Sequence, residues 1–172
     1  MDAAQAQFLA QTFAGSLEHE FKTTLKVLGA VKDDNKGYKP DDKSRSAWEL
    51  ATHIATSDVW FLDSIIQGKF NFDPEAAKKA ESQFASVNDV VAFYQKTFPA
   101  KLAELRALSD ENLTRTVDFF GMMKMPAAAY LPLANKFVTL NRKTAPAKLE
   151  LFDVRRDVIL NVAIGSVGGV LL

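Results

Sequence analysis

The sequence holds no cysteine. That absence excludes disulfides, thiolate metal sites, iron–sulfur clusters and a cysteine nucleophile together. Histidine is almost as scarce, with only His19 and His53 in 172 residues. Net charge is missing too, since 21 lysines and arginines offset 21 aspartates and glutamates. Without a field of one sign, neither nucleic acid nor an anionic membrane is an expected partner. No apolar run reaches the roughly 18 residues of a spanning helix. The N-terminus, Met1-Asp2-Ala3-Ala4-Gln5, has no basic stretch before an apolar core, so a cytoplasmic location is expected. Gly-rich phosphate loops, a nucleophile elbow and paired histidines are also lacking. Gly165-Ser166-Val167-Gly168-Gly169 does not qualify, because no strand and following helix flank it.

What is present is ordinary for a soluble globular chain, at 48% hydrophobic and 24% charged residues. The length predicts one domain with a substantial core. Phe8, Leu9, Phe13, Leu17, Phe21, Leu25 and Leu28 recur at steps of three and four, predicting a helix over 3–30 with that stripe buried. Ser46 followed by Glu49 is a capping-box pattern opening a second helix that stops at Gly68. Asp73-Pro74-Glu75 marks a short helix within a long connection. A third long helix starts at Ser86–Asp89 and carries Pro99, where a kink is expected. Residues 109–124 read as a turn-rich crossover, and a fourth long helix begins near Pro126-Ala127-Ala128-Ala129. Four amphipathic helices with two lengthy crossovers predict an all-α four-helix bundle.

Three segments, in order, resemble the DinB family. They are Lys43 to Ile54, with Ser46-Ala47-Trp48-Glu49-Leu50 leading to His53; Trp60 to Gly68; and Phe119 to Leu133, with its Gly-Met-Met-Lys-Met-Pro-Ala-Ala-Ala-Tyr run. The resemblance covers roughly residues 5–136. It implies an up-down-down-up bundle, often a homodimer, related to metal-dependent hydrolases and thiol-dependent S-transferases. In that family three histidines hold a divalent metal such as nickel or zinc, one from the second helix and two from an H-x-x-x-H motif in the fourth. Side chains four apart share a helix face, and a three-nitrogen site leaves room for water or substrate.

Here that pattern fails at its centre. His53 stands at the first ligand position, but Phe137 and Asn141 stand where the paired histidines belong. Arg142 falls at the family's arginine, and Lys143-Thr144-Ala145 replaces the Gly-Gln-Leu that follows it. A phenyl ring has no donor for a cation, and an amide oxygen is a poor ligand for a transition metal. The expectation is a DinB-like core over 1–136 and a divergent segment over 137–172 that completes or flanks the fourth helix. So abrupt an edge is what a reading-frame shift, a recombined end or an artificial terminus leaves; a divergent member with a rebuilt last helix is the alternative.

The expected function is a DinB-like bundle that binds a small molecule or protein without metal catalysis. The alternative is a divalent-metal-dependent hydrolase or thiol-dependent S-transferase at His53, where a nickel or zinc ion acts as Lewis acid. Glu49, one turn before His53, is either its hydrogen-bond acceptor or the partner of Ser46 in the capping box, and the second is preferred. His19 and Asp63 read as solvated. Trp48, Trp60, Phe61, Phe93, Tyr94, Phe98, Phe119, Phe120 and Tyr130 read mainly as core. Past Phe137, five basic residues against three acidic ones are too few for a nucleic-acid surface. Leu149–Val154 and Val158–Ile164 instead suggest packing or an exposed interface, with Pro146 interrupting any continuous helix.

Overall fold

A computed structural model describes residues 1–144; the expectations placed on 145–172, including the break at Pro146, lie outside the described residues. Four long helices carry the fold: α1 (Ala3–Gly29), α2 (Ala47–Gln67), α4 (Val87–Arg106) and α6 (Leu131–Thr144). The short α3 (Pro74–Ser82) and α5 (Asp110–Thr114) lie in the connections. Strands β1 (Thr116–Phe119) and β2 (Met123–Pro126) form an antiparallel hairpin, and a single 3-10 turn over Ala127–Tyr130 leads into α6.

Caps account for the boundaries. Asp2, Ser46, Asp73, Ser86 and Ser109 each accept a free amide at the start of a helix. At Ser46 the box is reciprocal: its hydroxyl accepts from the Glu49 amide at 3.1 Å, and the Glu49 carboxylate accepts from the Ser46 amide at 2.7 Å. Helix α2 ends in a Schellman motif. The Gly68 amide donates to Ile65 and the Lys69 amide to Ser64, with Gly68 left-handed at φ 69°. A Cβ there would meet the Arg115 guanidinium, which also bonds the Ile66 carbonyl, so glycine is required twice over. Helix α4 runs through Pro99 as one element.

Contacts between side chains give the helix directions. Asp58 meets Tyr94 and Asp63 meets Lys101, so α2 and α4 run in parallel. Phe21 lies against Phe98 and Glu18 reaches Arg106, so α1 opposes α4. Phe137 stacks on Phe61 and Asn141 bonds Ser57 and Asp58, so α6 opposes α2. The bundle is up-down-down-up, as the resemblance implies.

Three expectations are corrected. The buried seam of α1 runs through Ala6, Ala10, Ala14, Leu17, Thr24 and Leu28, whereas Phe8 is 69% exposed and Phe13 and Phe21 are only partly buried. Alanine serves here because α1 lies against α4, α5, α6 and the 127–130 turn at once, and small side chains let backbones approach. Second, the crossover at 109–124 contains α5 and most of the hairpin, and the last helix starts at Leu131, not near Pro126. Third, Phe120 leaves the core. It occupies the hairpin turn at φ 54° beside Gly121 at φ 73°, the paired positive values of a type I′ turn, and is 45% exposed. An isolated two-stranded hairpin is marginal in water. This one is held by Phe119 in the core and by the buried Tyr130 hydroxyl, 3.0 Å from the carbonyls of Val117 and Met123. Burial pushes the Tyr130 hydroxyl up to about 12.

Candidate functional site

The positions that would hold a metal are brought to α2 at different heights. His53 faces α3, where its Nδ1 lies 2.7 Å from Glu81 Oε1, and the Arg45 guanidinium stands 3.8 Å from the same oxygen. The hydrogen bond with His53, and next to it the positive charge of Arg45, hold the Glu81 carboxyl below the usual carboxylate range. Phe137 stacks on Phe61 with ring centres 4.8 Å apart, two turns along α2 from His53. Asn141 donates through Nδ2 to Asp58 Oδ1 at 2.6 Å and to Ser57 Oγ at 3.2 Å, one turn from His53.

These side chains do not fit a three-nitrogen metal site. His53 brings one imidazole whose acidic neighbour is also approached by an arginine, and a second cation there would be repelled. Phe137 brings no donor, and the Asn141 amide nitrogen is directed at a carboxylate. Among the described residues, no three His, Cys, Asp or Glu side chains are grouped so as to hold an ion.

Asn141 instead completes a buried polar knot. Asp58 is fully enclosed on α2, and its second oxygen accepts the Tyr94 hydroxyl at 3.1 Å. Burial, and then the charge of Asp58, push the Tyr94 hydroxyl well above its ordinary range. A buried carboxylate persists only where donors replace the water it has lost, and α4 and α6 each supply one. The residue after Asn141, Arg142, pairs with Glu20 of α1 at 2.8 Å. Asp58 went unnoticed in the sequence although it had a signal: it interrupts the apolar stripe Ile54, Leu62, Ile65 at helical spacing. Glu81 had none, being one of several charges on a polar helix.

The other predicted residues have plain roles. Glu49 serves the capping box, Asp63 pairs with Lys101 at 2.7 Å, and His19 is exposed. Phe61, Phe70, Phe119 and Tyr130 form a buried aromatic cluster at the C-terminal end of α2.

The opposite end of α2 borders a cleft. It lies between that end and the end of α1, measures about 460 Å³, and is walled by Val27, Leu28, Val31, Leu50, Ala51 and Ile54, with Lys32 and the 65% exposed Tyr38 also lining it. Its size falls within the roughly 300–1,000 Å³ of small-molecule sites, and its walls are of the apolar kind such sites use.

Comparisons with known proteins agree on the family. The model of the DinB superfamily matches residues 16–145. An uncharacterised Bacillus subtilis protein, YjoA, is 34% identical over 115 residues, covering 64% of this chain and 70% of YjoA. Its crystal structure superposes with a TM-score of 0.60 at 25% identity, over 78% of this chain and 86% of that one. A DinB-like protein of Bacillus cereus gives 0.62 at 22% identity, over 78% and 87%. A mycothiol-dependent maleylpyruvate isomerase gives 0.59 at 14% identity, over 94% of this chain and 67% of that one, a likeness of fold alone.

Proposed function

This chain belongs to the DinB superfamily, and from that premise we propose that it works as a binding bundle, receiving an apolar guest in the cleft between α1 and α2, without metal-dependent catalysis. The observation that carries this reading is the cleft itself, walled by aliphatic side chains and of a volume suited to a small molecule. The donor chemistry agrees with it. A metal-dependent family member needs imidazoles that converge, and here the matching positions are engaged with Glu81, Phe61 and Asp58 instead.

A fluorescent apolar probe such as anilinonaphthalene sulfonate tests the reading on the full chain. Saturable binding that Ile54→Trp weakens at least about tenfold, or roughly 1.4 kcal/mol, is the expected result. Binding that Ile54→Trp leaves unchanged, or no binding in any variant, refutes it.

A second reading draws on the isomerase likeness and on the His53–Glu81 pair, which offers a nitrogen and a carboxylate 2.7 Å apart. It makes the chain a thiol-dependent S-transferase or hydrolase with a nickel or zinc ion at His53. Under that reading, protein loaded with either ion keeps about one per chain through dialysis, and His53→Ala loses it. The preferred reading expects no such retention.

A further inference from the structure

Resting on the reading of the cleft as an apolar binding site, we propose that its guest is a small amphiphile, an unbranched aliphatic chain ending in a single carboxylate, with the carboxylate held at the mouth by Lys32, Asn35 and Tyr38.

The lining is divided by chemistry. Leu28, Leu50 and Ile54 are buried and form its floor, while Lys32, Asn35 and Tyr38 are exposed at its rim. These three polar residues come from one stretch, 32–38, and no carboxylate lines the cleft. Their spacing brings them into line. The Asn35 amide donates to the Lys32 carbonyl at 2.9 Å, and the Tyr38 amide to the Asn35 carbonyl at 3.0 Å. In such successive three-residue turns, residues three apart stand one above another. The acids of the same stretch, Asp33 and Asp34, fall between them. Asp33 is turned to α4, where it accepts the Val87 amide at 3.1 Å, and it pairs with Lys36 at 2.7 Å.

The backbone of this stretch is fastened down. The Ala47 amide donates to the Tyr38 carbonyl at 2.9 Å and the Trp48 amide to the Lys36 carbonyl at 3.1 Å, which ties it to the start of α2. Lys36 also reaches the Ala85 carbonyl at 2.7 Å and lies over the Trp48 ring. On that mount, the side chains of Lys32, Asn35 and Tyr38 have no hydrogen-bond or ion-pair partner among the described residues. They offer an ammonium, an amide NH2 and a hydroxyl, each able to donate. A carboxylate accepts several such bonds, and its one negative charge matches a single ammonium. A wholly apolar guest leaves those donors unused, and a cationic one is repelled by Lys32. Length agrees as well. The wall from Ala47 to Ile54, seven helical steps, is about 10 Å long, close to an extended octyl chain.

Calorimetric titration of the full-length protein with octanoate, octan-1-ol and octylammonium separates the head from the chain. Octanoate is expected to bind about tenfold more tightly than octylammonium, with octan-1-ol between them, and the gap to narrow as salt rises. Hexanoate, shorter by two methylenes, is expected to bind about fifteenfold more weakly than octanoate. Lys32→Glu, at an exposed and unpaired side chain, should reverse the order of octanoate and octylammonium, and Lys32→Arg should keep it. An order untouched by Lys32→Glu, or octylammonium binding as tightly as octanoate, overturns the proposal. If Ile54→Trp still weakens all three in that case, the cleft remains a binding site and only the head group is wrong. Absence of binding by all three also overturns it, and a fluorescent probe indifferent to Ile54→Trp would then remove the reading on which the head group rests.

Discussion

The two halves of α2 meet opposite surroundings. Toward its C-terminus, Phe61 is held between Phe137 and Phe70, with Phe119 and Tyr130 behind. Toward its N-terminus, the buried Leu50, Ala51 and Ile54 back a cleft, and His53 is held from the side by α3. One continuous helix thus packs into an aromatic cluster at one end and borders a cleft at the other. Along the described part of α6, Phe137 packs on Phe61 and Asn141 bonds Ser57 and Asp58. Ring contacts within the sealed end each contribute roughly 0.5–1.5 kcal/mol beyond the area they bury. Phe137 adds a ring to that seal.

Truncating each half should expose the contrast. Phe61→Ala is expected to cost about 3–5 kcal/mol in denaturant unfolding, because the rings around it cannot close over the void. Leu50→Ala should cost nearer about 2 kcal/mol, the low end for a buried leucine, because the void it leaves adjoins the cleft. Equal costs would show that the two ends are packed alike. Next in size is the knot between the halves. Asn141→Leu removes a donor from the buried Asp58 carboxylate and is expected to destabilise by about 1–3 kcal/mol. A neutral Asn141→Leu would mean that the amide only fills space, as a methyl-bearing side chain would.

The smallest effect belongs to the half that borders the cleft. Because Glu81 is held below the ordinary carboxylate range, its contribution is complete above that range and disappears as pH falls through the lowered folded value. Glu81→Gln should therefore lower stability near neutral pH, by about 1 kcal/mol or less for so accessible a pair, and match the parent once the pH is well under about 4. A difference that persists in acid would point to packing by Glu81 in place of its charge.

Much of this contrast was legible in the residues. Ser46 with Glu49, Asp73 with Pro74, and Gly68 marked helix ends because caps are local chemistry, decided within three or four residues. The bundle followed from periodicity. What escaped depended on partners distant in sequence. Ala6, Ala10 and Ala14 look unremarkable beside Phe8 and Phe13 until a second helix is known to pass close by. Strands of four residues carry too little pattern to announce a hairpin, and this one persists through Tyr130, reached only after the chain has turned back. At the site, the shortage of imidazole was evident from composition. That Asn141 would turn to Asp58, and His53 to Glu81, was not, because both choices are made across the bundle.

The alanine seam of α1 has an effect at a distance. Ala6, Ala10 and Ala14 are enclosed at one end of a rod of 27 residues, about 40 Å long, whose other end forms a bank of the cleft. Leu17, Thr24 and Leu28 carry the same buried seam on toward the cleft. Turning the whole rod by roughly 5° about Ala10 would move Val27 by about 2 Å, so the fit of those methyl groups and the breadth of the cleft are tied together along one rigid element.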